Sequence, residues 1–254
     1  MTKEKIRLSK KLLPRILIGV PTYDGKNYCL DAFMDNISKF TYPKSRLGIY
    51  IADNSKDNKN ALMINNKFGV KCFWRDYTGY KVHEKLADSH NQLRRYCIDE
   101  GYDYLLHLES DVFPPHDVIE QLLWARKPIV CALYQIFDGA WRTPCLKLVD
   151  NKHELSKDFR WYSDLTNFHH WFVDGTIKET HIAGIGCALM KKKVCENFPF
   201  RWDEHIYIPP DSFFAGDLES AGVQNWVHTG VLAFHWNKED WGRHSELIKY
   251  HKSE

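Results

Sequence analysis

The sequence predicts a layered α/β protein built around a mainly parallel sheet, and three observations carry this prediction. Short continuous apolar runs, such as residues 16–20 and 128–134, are typical of strands buried on both faces. These runs alternate with stretches whose apolar residues recur at helical spacing, which favours right-handed crossovers between parallel strands. The length of 254 residues, with 44% hydrophobic and 27% charged residues, allows one sizeable core.

The first half of the chain shows the alternation most clearly. The best-defined helix is predicted at 83–100, because Leu86, His90 and Leu93 lie on one face and Gly101 follows as a C-terminal cap. A buried strand comes next and ends in two acids and a proline pair, within residues 102–115. The other predicted elements are strands at 16–20, which Pro21 ends, 47–53, 70–74 and 128–134, and helices at 27–40, 58–67 and 117–126.

The pattern weakens after about Gln135. Residues 138–180 are rich in aromatic residues, His and Asp without a clear period, and they are either loops that line a site or peripheral packing. Because there is no internal repeat and no low-complexity linker, residues 1–254 are predicted to form a single domain. The remaining predicted elements are a glycine-punctuated strand at 181–190, helices at 193–197 and 211–221, the second stopped by Gly222, and strands around 225–228 and 231–235.

Composition excludes several classes of protein. The formal net charge of +2 is too small to favour a nucleic-acid polymer as the main partner. Seven scattered cysteines without a CxxC pair predict neither a zinc ribbon nor a disulfide framework, and they fit a reducing compartment. The N-terminus lacks the apolar core of a signal peptide, and no stretch reaches the ~18 apolar residues of a membrane span. A soluble cytoplasmic protein without a transmembrane segment is therefore predicted.

Two carboxylates, Glu109 and Asp111, mark the end of the strand within 102–115. In an extended backbone, residues two apart point to the same side, about 6 to 7 Å apart. Ligands of open α/β sheets bind beyond the carboxyl ends of the strands. Because Mg²⁺ and Mn²⁺ prefer oxygen ligands and often bind together with phosphates, the pair predicts a site for a metal-bound diphosphate. Ordinary solvated turn chemistry is the alternative.

The order and spacing of several motifs resemble the nucleotide-sugar-dependent glycosyltransferases of the GT-A fold, particularly their large inverting family 2. This fold is a Rossmann-like, nucleotide-diphospho-sugar transferase fold with a mixed, mainly parallel sheet flanked by helices. The likeness covers residues 14–236, and its parts are Pro21-Thr22-Tyr23, Asp53-Asn54-Ser55-Lys56-Asp57, His90-Asn91, the Asp-x-Asp-like Glu109-Ser110-Asp111, the segment 184–190, Pro210-Asp211-Ser212 and His235.

The resemblance implies a role for each of these positions. Asp53 is expected to form a hydrogen bond with the nucleobase. The alternative is that Asp53 is a turn residue that caps the next helix. Asp111 is expected to bind Mn²⁺ or Mg²⁺ directly, with His235 as a further ligand from a distant strand. Glu109 departs from the usual Asp, which puts its own ligand role in doubt. The residues expected to contact the nucleotide-sugar donor are Pro21, Thr22, Tyr23, Asp53, Asn91, Glu109 and Ser110, and those expected at the metal are Asp111, Glu109 and His235.

The resemblance also assigns the chemistry. Asp211 is expected to be the catalytic base that deprotonates an acceptor hydroxyl, with Asp217 as the fallback. Residues 14–135 would form the donor-binding half, 136–236 the acceptor-side half and 237–254 a C-terminal tail. The acceptor is left open among a glycan, a lipid, a protein and a modified nucleobase in DNA, as are the sugar, the nucleotide and the oligomeric state. Arg94, Lys85 and His90 are candidates for contacting phosphate.

Two other functions compete with this hypothesis. A nucleotidyltransferase would also hold a diphosphate and a metal at strand ends, but it favours a glycine- and lysine-rich phosphate loop. The loop after the first strand, residues 21–26, has a single glycine, Gly25, which counts against that function. Nine tryptophans suggest instead a non-catalytic carbohydrate-binding module, whose sugar binding would not respond to a chelator.

Overall fold

The computed structural model describes residues 13–134 and 174–236 and, between them, the short segments 136–137, 141–142, 145–148 and 159–161. The predicted tail at 237–254 and most of the aromatic-rich stretch at 138–173 lie outside the described residues. The strands are β1 (Ile16–Thr22), β2 (Leu47–Asp53), β3 (Lys71–Trp74), β4 (Tyr104–Leu108), β5 (Val112–Phe113), β6 (Ile129–Leu133), β7 (Ile136–Phe137), β8 (Trp141–Arg142), β9 (Cys145–Leu148), β10 (Phe159–Trp161), β11 (Ile177–Thr180), β12 (Ile182–Ala183), β13 (Cys187–Lys191), β14 (Asn225–Leu232) and β15 (Phe234–His235). The helices are α1 (Asn27–Ser38), α2 (Lys59–Phe68), α3 (Val82–Asp99), α4 (Val118–Trp124), α5 (Lys192–Asn197) and α6 (Pro210–Ser220).

Eight strands form the main sheet, in the order β3-β2-β1-β4-β13-β6-β14-β11. The first four are mutually parallel, with Ile16 of β1 opposite Leu47 of β2 and Tyr104 of β4. Strand β13 runs antiparallel between β4 and β6, and β11 is antiparallel to β14 at the edge. The carboxyl ends of β1, β2 and β4 therefore lie side by side at one edge of the sheet.

Helices cover both faces of this sheet. On β1, Ile16, Ile18 and Val20 belong to one buried cluster, whereas Leu17 belongs to the other, as expected from the alternation of side chains along a strand. Buried residues of α1, α2 and α4 belong to the first cluster, and those of α3, α5 and α6 to the second. The predicted α/β layering is confirmed. Within the described residues, no helix is long and apolar enough to span a bilayer.

Three strand predictions differ from the structure. The strand predicted at 181–190 is divided into β12 and β13, which belong to different sheets. β1 does not end before Pro21 but continues to Thr22, paired with β2. Pro21 is tolerated because β1 pairs with β4 only as far as Gly19, so its missing N–H interrupts no ladder on that side. The two short strands predicted after residue 224 are largely one, since β14 runs to Leu232 with a register irregularity after His228. The prediction read this irregularity as a break.

Candidate functional site

Three chain segments meet where β1, β2 and β4 end. The backbone N–H of Asn54, just after β2, donates to the Thr22 carbonyl at 2.9 Å. The hydroxyls of Thr22 and Ser110 lie 2.9 Å apart, and both side chains are buried. Ser110 thus ties the turn after β4 to the end of β1. Of the other residues expected to border the nucleoside, Pro21 is buried in β1, whereas Tyr23 is 43% exposed at the edge.

The segment that carries Glu109 and Asp111 is a tight turn. The Val112 N–H donates to the Glu109 carbonyl at 3.0 Å, and the Glu109 N–H donates to the Gly186 carbonyl at 2.9 Å. The expectation of an extended backbone through these residues is therefore wrong. The two carboxylates nevertheless influence each other, because burial and then the charge of Asp111 raise the pKa of Glu109 to about 7.

Asp111 is the centre of a charged cluster. Its side chain is 1% exposed, and its Oδ2 accepts a bond from Lys26 Nζ and one from His235 Nε2 at 3.2 Å. Burial alone would raise the pKa of Asp111, but the bond from His235 and the charge of Lys26 lower it below its ordinary value. The pKa of Lys26 is raised, since the pairing with Asp111 outweighs its burial. The cluster is therefore an ion pair with an adjoining imidazole.

His235 reaches this cluster through a short antiparallel pairing. Residues Phe234 and His235 pair with Phe113 and Val112, directly after the carboxylate turn. The Trp236 N–H donates to the Asp111 carbonyl at 2.7 Å, and the Tyr28 hydroxyl donates to the Trp236 carbonyl at 2.6 Å. The segment 234–236 is thus held across the turn. This arrangement brings His235 to Asp111 as the resemblance implied.

Asp111 and His235 are spaced as two ligands of one divalent ion would be. Neighbouring ligands of an octahedral ion with bonds of about 2.1 Å lie about 3 Å apart, and Asp111 Oδ2 and His235 Nε2 are separated by 3.2 Å. Within the described residues, no three side chains of His, Cys, Asp or Glu are grouped to hold a metal, so Glu109 does not complete a three-residue set. One or two protein ligands with phosphates and water are typical of Mg²⁺ sites.

Asp53, at the end of β2, presents an unpaired acceptor. Its side chain is fully buried, and its Oδ1 accepts from the Ser55 N–H at 3.2 Å, the Ser55 hydroxyl at 2.5 Å and the Asn60 amide at 3.1 Å. Its Oδ2 is buried and has no hydrogen-bond partner among the described residues. Burial raises the pKa of this carboxyl. One oxygen therefore organises the following turn, and the other lacks the donor that a buried acceptor requires.

Asn91 on α3 is engaged in a structural contact. Its Oδ1 accepts from the Phe200 N–H at 3.0 Å, and its Nδ2 donates to the Phe200 carbonyl at 2.7 Å. The phosphate candidate Arg94 donates to the Cys195 carbonyl at 2.6 Å. His90 lies 2.9 Å from His107 Nε2, whose other ring nitrogen is 2.7 Å from the Ile185 carbonyl. These groups join α3 to the chain around α5 and β4, and the structure does not place them in the Asp111 cluster.

The two candidate bases on α6 have different surroundings. Asp217 forms two bonds of 2.8 Å to Arg201, which occupy both carboxylate oxygens. Asp211 lies in the first turn, where its Oδ1 accepts from the Ser212 N–H at 2.9 Å and burial raises its pKa. The charge of Asp211 also contributes to the raised pKa of Glu109, so the two groups lie within electrostatic reach. Unlike Asp217, Asp211 has no ion-pair partner among the described residues.

Sequence reasoning missed Lys26. It considered Lys26 only as part of a possible phosphate loop, yet the ammonium group of Lys26 contacts the acid of a turn 85 residues away. A signal was present, because Lys26 follows β1, whose carboxyl end had to lie beside that of the strand carrying Glu109 and Asp111.

Of the comparisons with known proteins, the one with solved structures identifies the fold. No protein-family model and no curated protein sequence matches the chain. Among solved structures, the chain shares the GT-A-like fold that the resemblance implied. It is similar to S. aureus TarS 1–349 in complex with UDP, with a TM-score of 0.52 and 13% identity, covering 89% of this chain and 62% of that one.

Two further structures of that protein show the same likeness. For TarS 1–349 in complex with UDP-GlcNAc, the TM-score is 0.52 and the identity 10%, covering 90% of this chain and 61% of that one. For S. aureus TarS the TM-score is 0.51 and the identity 11%, and the match covers 93% of this chain and 39% of that one. The chain therefore spans less than two thirds of the length of these structures. At this identity the likeness shows the fold.

Proposed function

We propose that this chain is an inverting glycosyltransferase that uses Mn²⁺ or Mg²⁺ and a nucleotide-diphosphate sugar of the UDP or GDP type. One observation supports this most: the unpaired Asp53 Oδ2 and the Asp111 cluster lie at the ends of β2 and β4, on either side of β1. Two strand spacings, about 10 Å, separate these strand ends. That distance leaves room for a ribose between a base at Asp53 and a diphosphate at Asp111.

The donor class follows from the chemistry of Asp53. A buried acceptor without a partner favours a base that offers an N–H donor, which uracil and guanine present on the ring and cytosine and adenine only on an exocyclic amino group. TarS, whose fold this chain shares, has been crystallised with UDP and with UDP-GlcNAc. We therefore expect UDP-sugars first and GDP-sugars second.

The remaining residues provide the transfer chemistry. Asp111 and His235 would hold the metal, which neutralises the diphosphate leaving group when bound. Asp211 accepts the proton of the acceptor hydroxyl. At the same time the hydroxyl oxygen bonds to the anomeric carbon of the sugar, and the bond from that carbon to the diphosphate breaks. In a single displacement of this kind the sugar configuration is inverted. The partly buried position of Asp211 supports this role, because a base with a raised pKa holds the proton more readily.

A thermal-shift screen of UDP-, GDP- and CMP-sugars, with Mn²⁺ or with EDTA, tests the proposal. A ligand present at 100 times its Kd stabilises the folded state by about 2.7 kcal/mol, and we expect such a shift for a UDP- or GDP-sugar with Mn²⁺ and a much smaller shift in EDTA. Asp111→Asn should lose this shift and Mn²⁺-stimulated donor hydrolysis, whereas Asp35→Asn, an exposed control, should keep both. Normal hydrolysis by Asp111→Asn refutes the assignment, and sugar binding that resists EDTA indicates a carbohydrate-binding module.

A further inference from the structure

Lys26 brings a positive charge to the position where the site needs a cation. It ends a short 3-10 turn after β1 and precedes α1. Its side chain is 29% exposed, whereas the Asp111 side chain that it contacts is 1% exposed. The ion pair is therefore largely shielded from water, unlike the exposed pair between Lys67 and Asp31. Such a pair is costly to break, since each charge is left without its partner.

We propose that Lys26 is the resident cation of the donor-free site and that it couples the binding of metal to the binding of diphosphate. In this inference, which rests on the proposed function, the ammonium group leaves Asp111 when a divalent ion binds and moves to the phosphates of the donor. The metal ion alone then binds weakly, because it must displace Lys26 and leave it without an anion beside a divalent charge. The diphosphate supplies that anion.

The bonding at Asp111 supports the exchange. A carboxylate oxygen has about two lone-pair directions, and on Oδ2 the contacts from Lys26 and His235 use both. A metal ion that binds this oxygen must therefore remove a donor. His235 can become a metal ligand only when Nε2 gives up the proton that it shares with Oδ2, and that proton leaves to solvent. The Lys26 ammonium group cannot bind a metal, and it carries a charge of the same sign as the ion at the oxygen that the ion needs. Lys26 is therefore the group that moves away.

Two opposite effects follow from removing this charge. Without Lys26 there is no ammonium group to displace, so Mn²⁺ alone should bind more tightly. Without Lys26 a metal-free diphosphate loses a cation, so it should bind more weakly. A side chain that only supported the fold would shift both affinities in the same direction. The magnitude expected for coupling between two sites is roughly 5- to 150-fold.

Calorimetric titrations test this inference with two probes, MnCl₂ alone and inorganic pyrophosphate in EDTA, with UDP in place of pyrophosphate as a repeat. For Lys26→Met we expect Mn²⁺ to bind about tenfold more tightly and pyrophosphate about tenfold more weakly than for the wild type. Lys26→Gln retains a polar end, and each of its two affinities should change in the direction expected for Lys26→Met. Lys26→Arg should resemble the wild type. Lys67→Met removes one exposed positive charge and should change neither affinity.

Each outcome has a distinct meaning. Wild-type protein that binds both probes, with unchanged affinities in Lys26→Met and Lys26→Gln, refutes the coupling role and leaves the proposed function intact. Affinities that fall together, with a lower melting temperature, also overturn it, since they indicate a structural role. A wild type that binds no UDP or GDP when MnCl₂ is present contradicts the proposed function, and this inference with it.

Discussion

Replacing Asp53 by Asn should weaken donor binding without weakening the fold. The amide keeps Oδ1, and with it the three bonds from Ser55 and Asn60. It replaces the unpaired Oδ2 by a donor, which cannot accept from a base N–H. Hydrogen bonds to charged groups contribute about 1.5 to 3 kcal/mol, so the Kd of the nucleotide should rise roughly 10- to 150-fold.

Although Asp53→Asn should weaken nucleotide binding, it should not lower the free energy of unfolding. Burial raises the folded-state pKa of Asp53 above its unfolded value. Stability from this group is therefore full below the unfolded pKa and is lost as the pH rises through the folded pKa. Asn carries no charge to desolvate, so the free energy of unfolding at pH 7 should be unchanged or higher. Stability and affinity then change independently, which a damaged fold would not allow.

Titration of UDP and GDP by calorimetry, with urea unfolding of the same samples, measures both quantities. Ser55→Ala is the matched control, because it removes the hydroxyl bonded to Asp53 Oδ1 and should cost about 1 kcal/mol of stability. Wild-type affinity for both nucleotides in Asp53→Asn refutes the role of Oδ2. A loss of affinity that comes with a loss of stability as large as in Ser55→Ala refutes it as well.

Other predictions concern catalysis, packing and pH. Asp211→Asn should lower the transfer rate by about 10²- to 10⁴-fold with an unchanged donor Kd, whereas Asp217→Asn, which weakens a surface ion pair, should keep the rate; steady-state kinetics separates them. Gly186→Ala places a Cβ 2.7 Å from a tyrosine ring and should cost about 1 to 3 kcal/mol. Gly216→Ala, in open space within α6, should stabilise by about 0.5 to 1 kcal/mol, both measured by thermal melts. Burial lowers the pKa of His107 to about 4. The free energy of unfolding should therefore fall as the pH drops from 6.5 to 4, with His107 contributing about 1.4 kcal/mol per pH unit. Urea unfolding at a series of pH values contradicts this if His107→Gln loses stability with pH as steeply as the wild type.

The elements that could be predicted are those that a local pattern of apolar residues identifies. β2 was predicted with the bounds that it has, Leu47–Asp53, because its apolar run is continuous. The helix predicted at 211–221 lies one residue earlier, as Pro210 takes the first helical position, where its missing N–H costs nothing. Parallel pairing then placed the ends of β1, β2 and β4 together. The resemblance was needed to connect His235 with Asp111, which lie 124 residues apart.

What the sequence could not predict depends on contacts between distant residues. At Glu109 the backbone N–H bonds the carbonyl of the distant Gly186 and the chain then turns, whereas two acids two residues apart resembled the end of an extended strand. Strand β13 is inserted antiparallel between β4 and β6, and the prediction of a mixed, mainly parallel sheet did not identify this strand as an antiparallel one. The Lys26 contact is likewise non-local, and a single lysine after a strand is not a recognisable motif.

A crystal grown with MnCl₂ and UDP, with data collected at the manganese absorption edge, tests the central claim most directly. We expect an anomalous peak bound by Asp111 Oδ2 and His235 Nε2, uracil within hydrogen-bond distance of Asp53 Oδ2, and Lys26 on the phosphates. Density in which Lys26 still contacts Asp111, with no peak there and no nucleotide at Asp53, would contradict the account.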